Sequence, residues 1–168
     1  RAKEKKLVAL YALFQTSPLI LLAKQDAHIE TIDHFASKRI MATLDDASEA
    51  SIKAMMSSHK LTDKDYRFLI HTHNVSDLIE GKTDLISAYI SKAPYELEKA
   101  GVAYTLFNPK DYGFDMYSDF LYTSESLIYH NLKMVEAFKK ASLKGWTYAY
   151  ENIEESADIL HHKYNTQN

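Results

Sequence analysis

The sequence contains no cysteine, only four glycines and three prolines, and no uninterrupted apolar run of about 18 residues, the length a membrane-spanning helix requires. Each shortage removes a class of function. Without cysteine there is no disulfide, no thiolate nucleophile and no sulfur-ligated zinc, and either a reducing or an oxidising compartment is tolerated. With so few glycines there is no glycine-rich loop to cradle a phosphate. Charge of one sign is also lacking: 20 basic and 23 acidic side chains leave a formal charge of −3. A nucleic-acid partner, which needs a basic face, is therefore excluded, and the short cluster Arg1, Lys3, Lys5, Lys6 does not restore one. No cofactor is expected, and a membrane would be reached only through segments outside this chain.

What is present is 168 residues, 46% hydrophobic and 26% charged, the balance of an ordinary globular domain. A basic start followed by the apolar run Leu7–Phe14 imitates a signal peptide, but Gln15-Thr16-Ser17-Pro18 breaks the run and a second one, Leu19–Ala23, follows at once. Two strands buried on both faces around a polar turn account for this pattern. Arg39–Thr43 reads as a short strand, and Asp45-Asp46-Ala47-Ser48-Glu49 as the opening of a helix that turns Ile52, Met55 and Met56 inward. After the turn Thr62–Asp65 comes a strand, Tyr66–His71, then a short helix capped by Asn74 or Ser76 and closed by Gly81. The cycle repeats with a strand at Asp84–Tyr89, a helix at Pro94–Lys99 ended by Gly101, and a strand at Val102–Phe107. Strands alternating with helices predict βαβ units and a mostly parallel sheet.

Beyond the turn-rich Asn108–Gly113, a strand is expected at Met116–Tyr122. From Ser124 the pattern is helical, with Leu132, Val135, Phe138, Ala141, Gly145, Trp146 and Ala149 on one face. Asn152 with Glu155 resembles a capping box for a last helix striped by Ile153, Ala157, Leu160 and Tyr164. Opening in a buried strand and ending without a helix stop, the chain reads as a piece of a larger domain.

In open parallel sheets ligands bind beyond the carboxyl ends of the strands, where loops and helix starts converge. Four segments are placed to do this: Gln15-Thr16-Ser17, Asp46-Ala47-Ser48, Tyr89-Ile90-Ser91-Lys92, and Tyr112-Gly113-Phe114-Asp115 with Tyr117 just beyond. Their hydroxyls, aromatic faces and the Lys92 cation suit a small polar ligand. Taken singly, a hydroxyl before a helix is more often a cap and a tyrosine near a turn is more often packing; it is their convergence that predicts a site.

Catalysis finds no such convergence. Ser17, Ser48 and Ser91 lack a Gly-x-Ser-x-Gly context, and the acidic pairs Asp45-Asp46 and Glu154-Glu155 fall at helix starts, where capping explains them. His71 and His73 share a strand face, but no third metal ligand stands at a sensible spacing, and His161-His162 point to different sides of a helix. Neither an active site nor a metal site is expected.

The runs Gly81-Lys82-Thr83-Asp84-Leu85-Ile86-Ser87-Ala88-Tyr89-Ile90-Ser91, Pro94-Tyr95-Glu96-Leu97 and Asn108-Pro109-Lys110-Asp111-Tyr112-Gly113-Phe114-Asp115 resemble the thiamine-pyrimidine-synthase-like substrate-binding proteins. That family is akin to the nitrate, sulfonate and taurine receptors of ABC importers. Ala141-Ser142-Leu143-Lys144-Gly145-Trp146-Thr147-Tyr148-Ala149 and Tyr164-Asn165-Thr166-Gln167-Asn168 extend the likeness over nearly the whole chain, and the sensor-domain versions in bacterial histidine kinases and diguanylate cyclases are the most similar.

The resemblance implies an α/β type II periplasmic-binding-protein fold, two lobes of mostly parallel sheet joined by crossing hinge strands and closing on a small molecule. Residues 1–24 would be hinge and first-lobe strands, 25–115 the second lobe, and 116–168 the return strand with C-terminal helices on the first lobe, whose N-terminal part is absent. It further implies an extracytoplasmic sensory input coupled to a downstream kinase or cyclase module or, alternatively, the binding component that serves an ABC permease. Where the family commonly has Asn-Glu-Pro after Tyr-Ile-Ser, this chain has Lys92-Ala93-Pro94, which favours an anionic ligand group over an amine. The synthase members use a cysteine-rich segment; with no cysteine here, synthase activity is disfavoured.

Overall fold

A computed structural model of the protein describes residues 6–43 and 50–164. The expected helix opening at Asp45–Glu49, and with it Ser48, lies outside the described residues. The chain divides into two compact units, Ala12–Asp119 and the remainder, which joins the residues up to Tyr11 with those from Phe120 onward.

The first unit is built on a five-stranded sheet. Its strands are β2 (Leu19–Lys24), β3 (Arg39–Ala42), β4 (Arg67–Ile70), β5 (Leu85–Tyr89) and β6 (Tyr104–Phe107), in the order β4-β3-β5-β2-β6. β3 pairs in parallel with both β4 and β5, whereas β2 is antiparallel to β5 and to β6. Four strands therefore run one way and β2 runs against them, which is the mostly parallel sheet expected with one antiparallel strand inserted. β2 is apolar at every position but the last because both faces of a central strand are covered.

Alternation along β2 sorts the core into two layers. Leu19, Leu21 and Ala23 face the side that holds Ile29, Ile32, Phe35 and the helix α1 (Ala50–Ser58), which contributes Ile52, Met55 and Met56. Ile20 and Leu22 face the other side, where Met41 and Ile86 meet Leu78 of α2 (Ser76–Ile79) and Leu97 of α3 (Ala93–Lys99). Phe35 and Phe107 close the first layer edge to face, ring centroids 4.8 Å apart. Each fully buried side chain of this kind contributes about 1.5–3 kcal/mol. Gly81 and Gly101 end α2 and α3 in the left-handed region, at φ 71° and 69°, as their positions after the last apolar residue predict.

In the second unit β1 (Leu7–Phe14), which begins there, pairs with β7 (Ser118–Ser124), which ends there. The sequence predicts β1 to be as buried as β2, but each of its residues is half-buried or exposed. Its run of apolar residues looks the same, yet among the described strands it belongs to a two-stranded ribbon rather than to the middle of a sheet. β7 lies two residues later than the strand expected at Met116–Tyr122.

The following helix, α4 (Glu125–Glu151), starts at Ser124, whose Oγ accepts the N–H of Leu127 at 3.1 Å. It is broken at Asn131 (φ −151°, ψ 57°), whose side-chain oxygen accepts the N–H of Met134 at 3.3 Å and so caps the longer second half. Of the stripe predicted on α4 only Val135 is buried; Leu132, Phe138 and Trp146 are exposed. Ser142 holds the Tyr11 hydroxyl on β1. Nor does the expected capping box form at α5 (Ile153–Ile159). The Asn152 amide instead donates to the Tyr148 carbonyl at 2.8 Å, and Glu155 accepts the Tyr148 hydroxyl at 2.6 Å. Among the described residues no helix is long and apolar enough to cross a membrane.

Candidate functional site

The carboxyl ends of β3, β4 and β5 open onto a cavity of about 420 Å³. Thr43 follows β3, His71 and His73 follow β4, and Ser87 to Tyr89 end β5; Ser91, Lys92 and Glu96 come from the turn and first helical residues beyond it. The parallel strands deliver three chain ends to one edge, and the antiparallel β2 brings Leu19 opposite Tyr89 to wall it. This is where open α/β sheets bind ligands.

The turn after β5 is fixed by its own backbone. The Ile90 N–H donates to the Pro18 carbonyl at 2.9 Å, tying the turn to the start of β2, and the Lys92 N–H donates to Tyr89 at 3.0 Å. Pro94 occupies the first turn of α3, where no N–H is required. Lys92 Nζ lies 3.7 Å from Glu96 one turn later. A pair this exposed is worth only about 0.3–0.5 kcal/mol, so a ligand anion can compete for the ammonium.

On the β4 side two histidines form a unit. The Nε2–H of His71 donates to the Ser87 carbonyl at 2.7 Å and its Nδ1 accepts the backbone N–H of His73, also at 2.7 Å. The two rings stack at 22° with centroids 4.8 Å apart. These bonds specify the neutral Nε2–H tautomer for His71. His73 adopts φ 62°, a left-handed conformation that costs a residue with a Cβ roughly 1–2 kcal/mol.

Below the histidines Asp77 is buried, with the Lys82 ammonium on one oxygen at 2.7 Å and the Thr72 hydroxyl on the other. The Lys82 bond, then that of Thr72, holds the Asp77 carboxyl below its ordinary pKa, and the same contact raises Lys82. This network fastens the β4–α2 connection that carries both histidines.

Of the residues expected at a ligand site, Tyr89, Ser91 and Lys92 line this cavity. The others do not. Ser17 is buried, and its oxygen accepts the Leu19 N–H at 3.3 Å to close the turn. Gln15 is exposed beside it, and Thr16 donates to Asp115 at 3.4 Å. Tyr112 packs on the core layer of α1 and meets His59 edge to face at 6.2 Å, and burial raises its hydroxyl pKa. Gly113 takes φ 87° to end the 3-10 turn Pro109–Tyr112, and Tyr117 is exposed.

His71 and His73 were weighed from the sequence only as metal ligands. The signal that finds them is the rule applied to the other loops, namely that they follow the carboxyl end of a parallel strand. Among the described residues no three His, Asp or Glu side chains are grouped to hold a metal ion.

The model of the NMT1/THI5 like family matches residues 1–156. The chain belongs to that family. Over 87 residues, 51% of the chain, it is 29% identical to the formylaminopyrimidine-binding protein of Halalkalibacterium halodurans, of which the match covers 26%. The periplasmic aliphatic sulphonate binding protein of Escherichia coli superposes with a TM-score of 0.72 at 11% identity, over 92% of this chain and 50% of that one. An ABC uptake transporter substrate binding protein from Streptococcus pneumoniae, solved with bound histidine, gives a TM-score of 0.56 at 15% identity, over 92% and 60%. The chain thus has the mixed α/β fold of solute-binding proteins of the ABC-transporter type, and it spans about half to three fifths of the length of these two solved structures.

Proposed function

We propose that this family member is the ligand-capturing part of an extracytoplasmic solute-binding protein that serves an ABC importer, and that its ligand is a small metabolite bearing an anionic group. The observation that carries the reading is the cavity at the carboxyl ends of β3, β4 and β5, with Tyr89, Ser91 and Lys92 on its edge. The tyrosine supplies a flat apolar face, the serine a hydroxyl and the lysine a cation. Lys92-Ala93 stands where a carboxylate would have favoured an amine. The three relatives named above are binding proteins, two of them periplasmic or transport components. That favours the importer over the sensory input expected from the sequence, and over a kinase or cyclase partner. Synthase activity is disfavoured because the chain has no cysteine, whereas the synthase members use a cysteine-rich segment.

The test is a thermal-shift panel on the full-length protein with aliphatic sulfonates, carboxylates, amino acids and formylaminopyrimidines. One class should stabilise it, by about 2.7 kcal/mol at a hundredfold excess over Kd. Lys92→Glu should weaken an anionic hit at least tenfold, since it replaces an attraction by a repulsion at the same edge. A flat panel would overturn the reading, and undiminished affinity in Lys92→Glu would move Lys92 to the solvated rim.

A further inference from the structure

We infer that His73 is a ligand-contacting residue of this cavity, one that reads an oxyanion, carboxylate or sulfonate, beside Lys92, and that His71 is the positioning residue that presents it. The inference rests on the solute-binding reading above and specifies which side chains recognise the anion.

Three observations carry it. The first is that the two histidines divide their work. Both ring nitrogens of His71 are committed to backbone partners, the Ser87 carbonyl and the His73 N–H, so this ring has no hydrogen-bonding capacity left for a ligand. The ring nitrogens of His73 make no hydrogen bond among the described residues, although the side chain lines the cavity. An imidazole in that state offers an N–H donor to an anion.

The second observation is the backbone. His73 stands at φ 62°, in the left-handed region that histidine, like asparagine and aspartate, enters more readily than most side chains. The bond from its N–H to His71 and the stack of the two rings hold it there, at the edge of the cavity. The third is chemical consistency across the cavity. Lys92 lies on the same lining, paired among the described residues by a weak contact with Glu96, so two nitrogen donors from different loops border one space. Together an ammonium and an imidazole N–H suit the spread oxygens of a carboxylate or sulfonate better than either does alone.

The experiment follows the histidine ring nitrogens of the full-length protein by long-range proton–nitrogen NMR while ethanesulfonate, propionate or neutral propanol is added. Both anions should move the His73 nitrogens saturably and propanol should not, while His71 keeps its Nε2–H pattern throughout. His73→Gly relieves the backbone and removes the ring, so it should melt no lower than the wild type and yet bind either anion at least tenfold more weakly. His73→Asn keeps an N–H donor and tolerates the left-handed backbone, and should recover part of the loss. His71→Phe keeps a ring to stack on but loses the acceptor for the His73 N–H, and should weaken binding with a smaller effect than His73→Gly.

Anion binding that is undiminished in His73→Gly, or that leaves the His73 nitrogens unmoved, would overturn the inference and leave the solute-binding reading standing. The same holds if both anions fail while another member of the metabolite panel binds. A protein that binds nothing in either experiment loses both readings.

Discussion

Arg39 and Asp84 clasp the start of β3 to the start of β5. Nε and Nη2 of the guanidinium donate to the two carboxylate oxygens at 3.0 and 2.7 Å, and the Arg39 backbone N–H adds a third bond at 2.7 Å. The same guanidinium also takes the carbonyls of Gly81 and Lys82, each at 2.9 Å. These two parallel strands are thus locked at their amino ends, while their carboxyl ends splay into loops around the cavity. Asp84→Ala should cost about 1–2 kcal/mol, the lower part of the range for charged hydrogen bonds because the pair is about one-third exposed. Urea denaturation would show it, and an unchanged midpoint would mean that the strands hold their register without the clasp.

Acid should weaken the same unit. The Arg39 guanidinium holds Asp84 below the usual carboxylate range, and Lys82 with Thr72 does so for Asp77. A carboxyl whose pKa is depressed by folding stabilises the fold above the unfolded value of about 3.9 and loses that contribution as pH falls through the folded value. Unfolding midpoints should therefore decline as pH falls below about 4. Asp77→Asn should flatten the decline, and an unaltered acid limb would show that Asp77 takes no part in it.

Phe35 is fully buried against Phe107, whereas Tyr129 on α4 is 86% exposed. Phe35→Ala opens a cavity in the α1 layer and should destabilise by about 3–5 kcal/mol. Tyr129→Ala should stay within about 0.5 kcal/mol. Chemical denaturation of the two variants side by side checks the contrast, and equal effects would contradict the layer assignment.

Much of the fold was legible because it is written in local pattern. The apolar run of β2, the helix stops at Gly81 and Gly101 and the turn after Tyr89 all follow from residue type and spacing, and the rule for parallel strand ends points to Tyr89, Ser91 and Lys92, which line the cavity. The same rule reaches His71 and His73, which were instead set aside with the metal question. β1 looked as buried as β2, yet it lies in a ribbon, because burial depends on how many strands flank a segment and not on its own composition. Asn152 and Glu155 have capping-box spacing, but both bond to Tyr148, a partner that the spacing does not reveal.

The order of side chains along the chain by itself determined which segments are strands and helices, which face of each is apolar, and that the chain has no thiol, phosphate-loop or basic-surface chemistry. Those properties arise from neighbours within a few residues, where the 2.0 and 3.6 periods act. Tertiary structure alone decided that β2 lies between β5 and β6, that Leu19 faces Tyr89, and that the end of β4 delivers His71 and His73 to the cavity edge that Lys92 also lines. Strand pairing joins residues dozens of positions apart through backbone hydrogen bonds that are the same for every residue type, so the sequence can favour a strand without naming its partner.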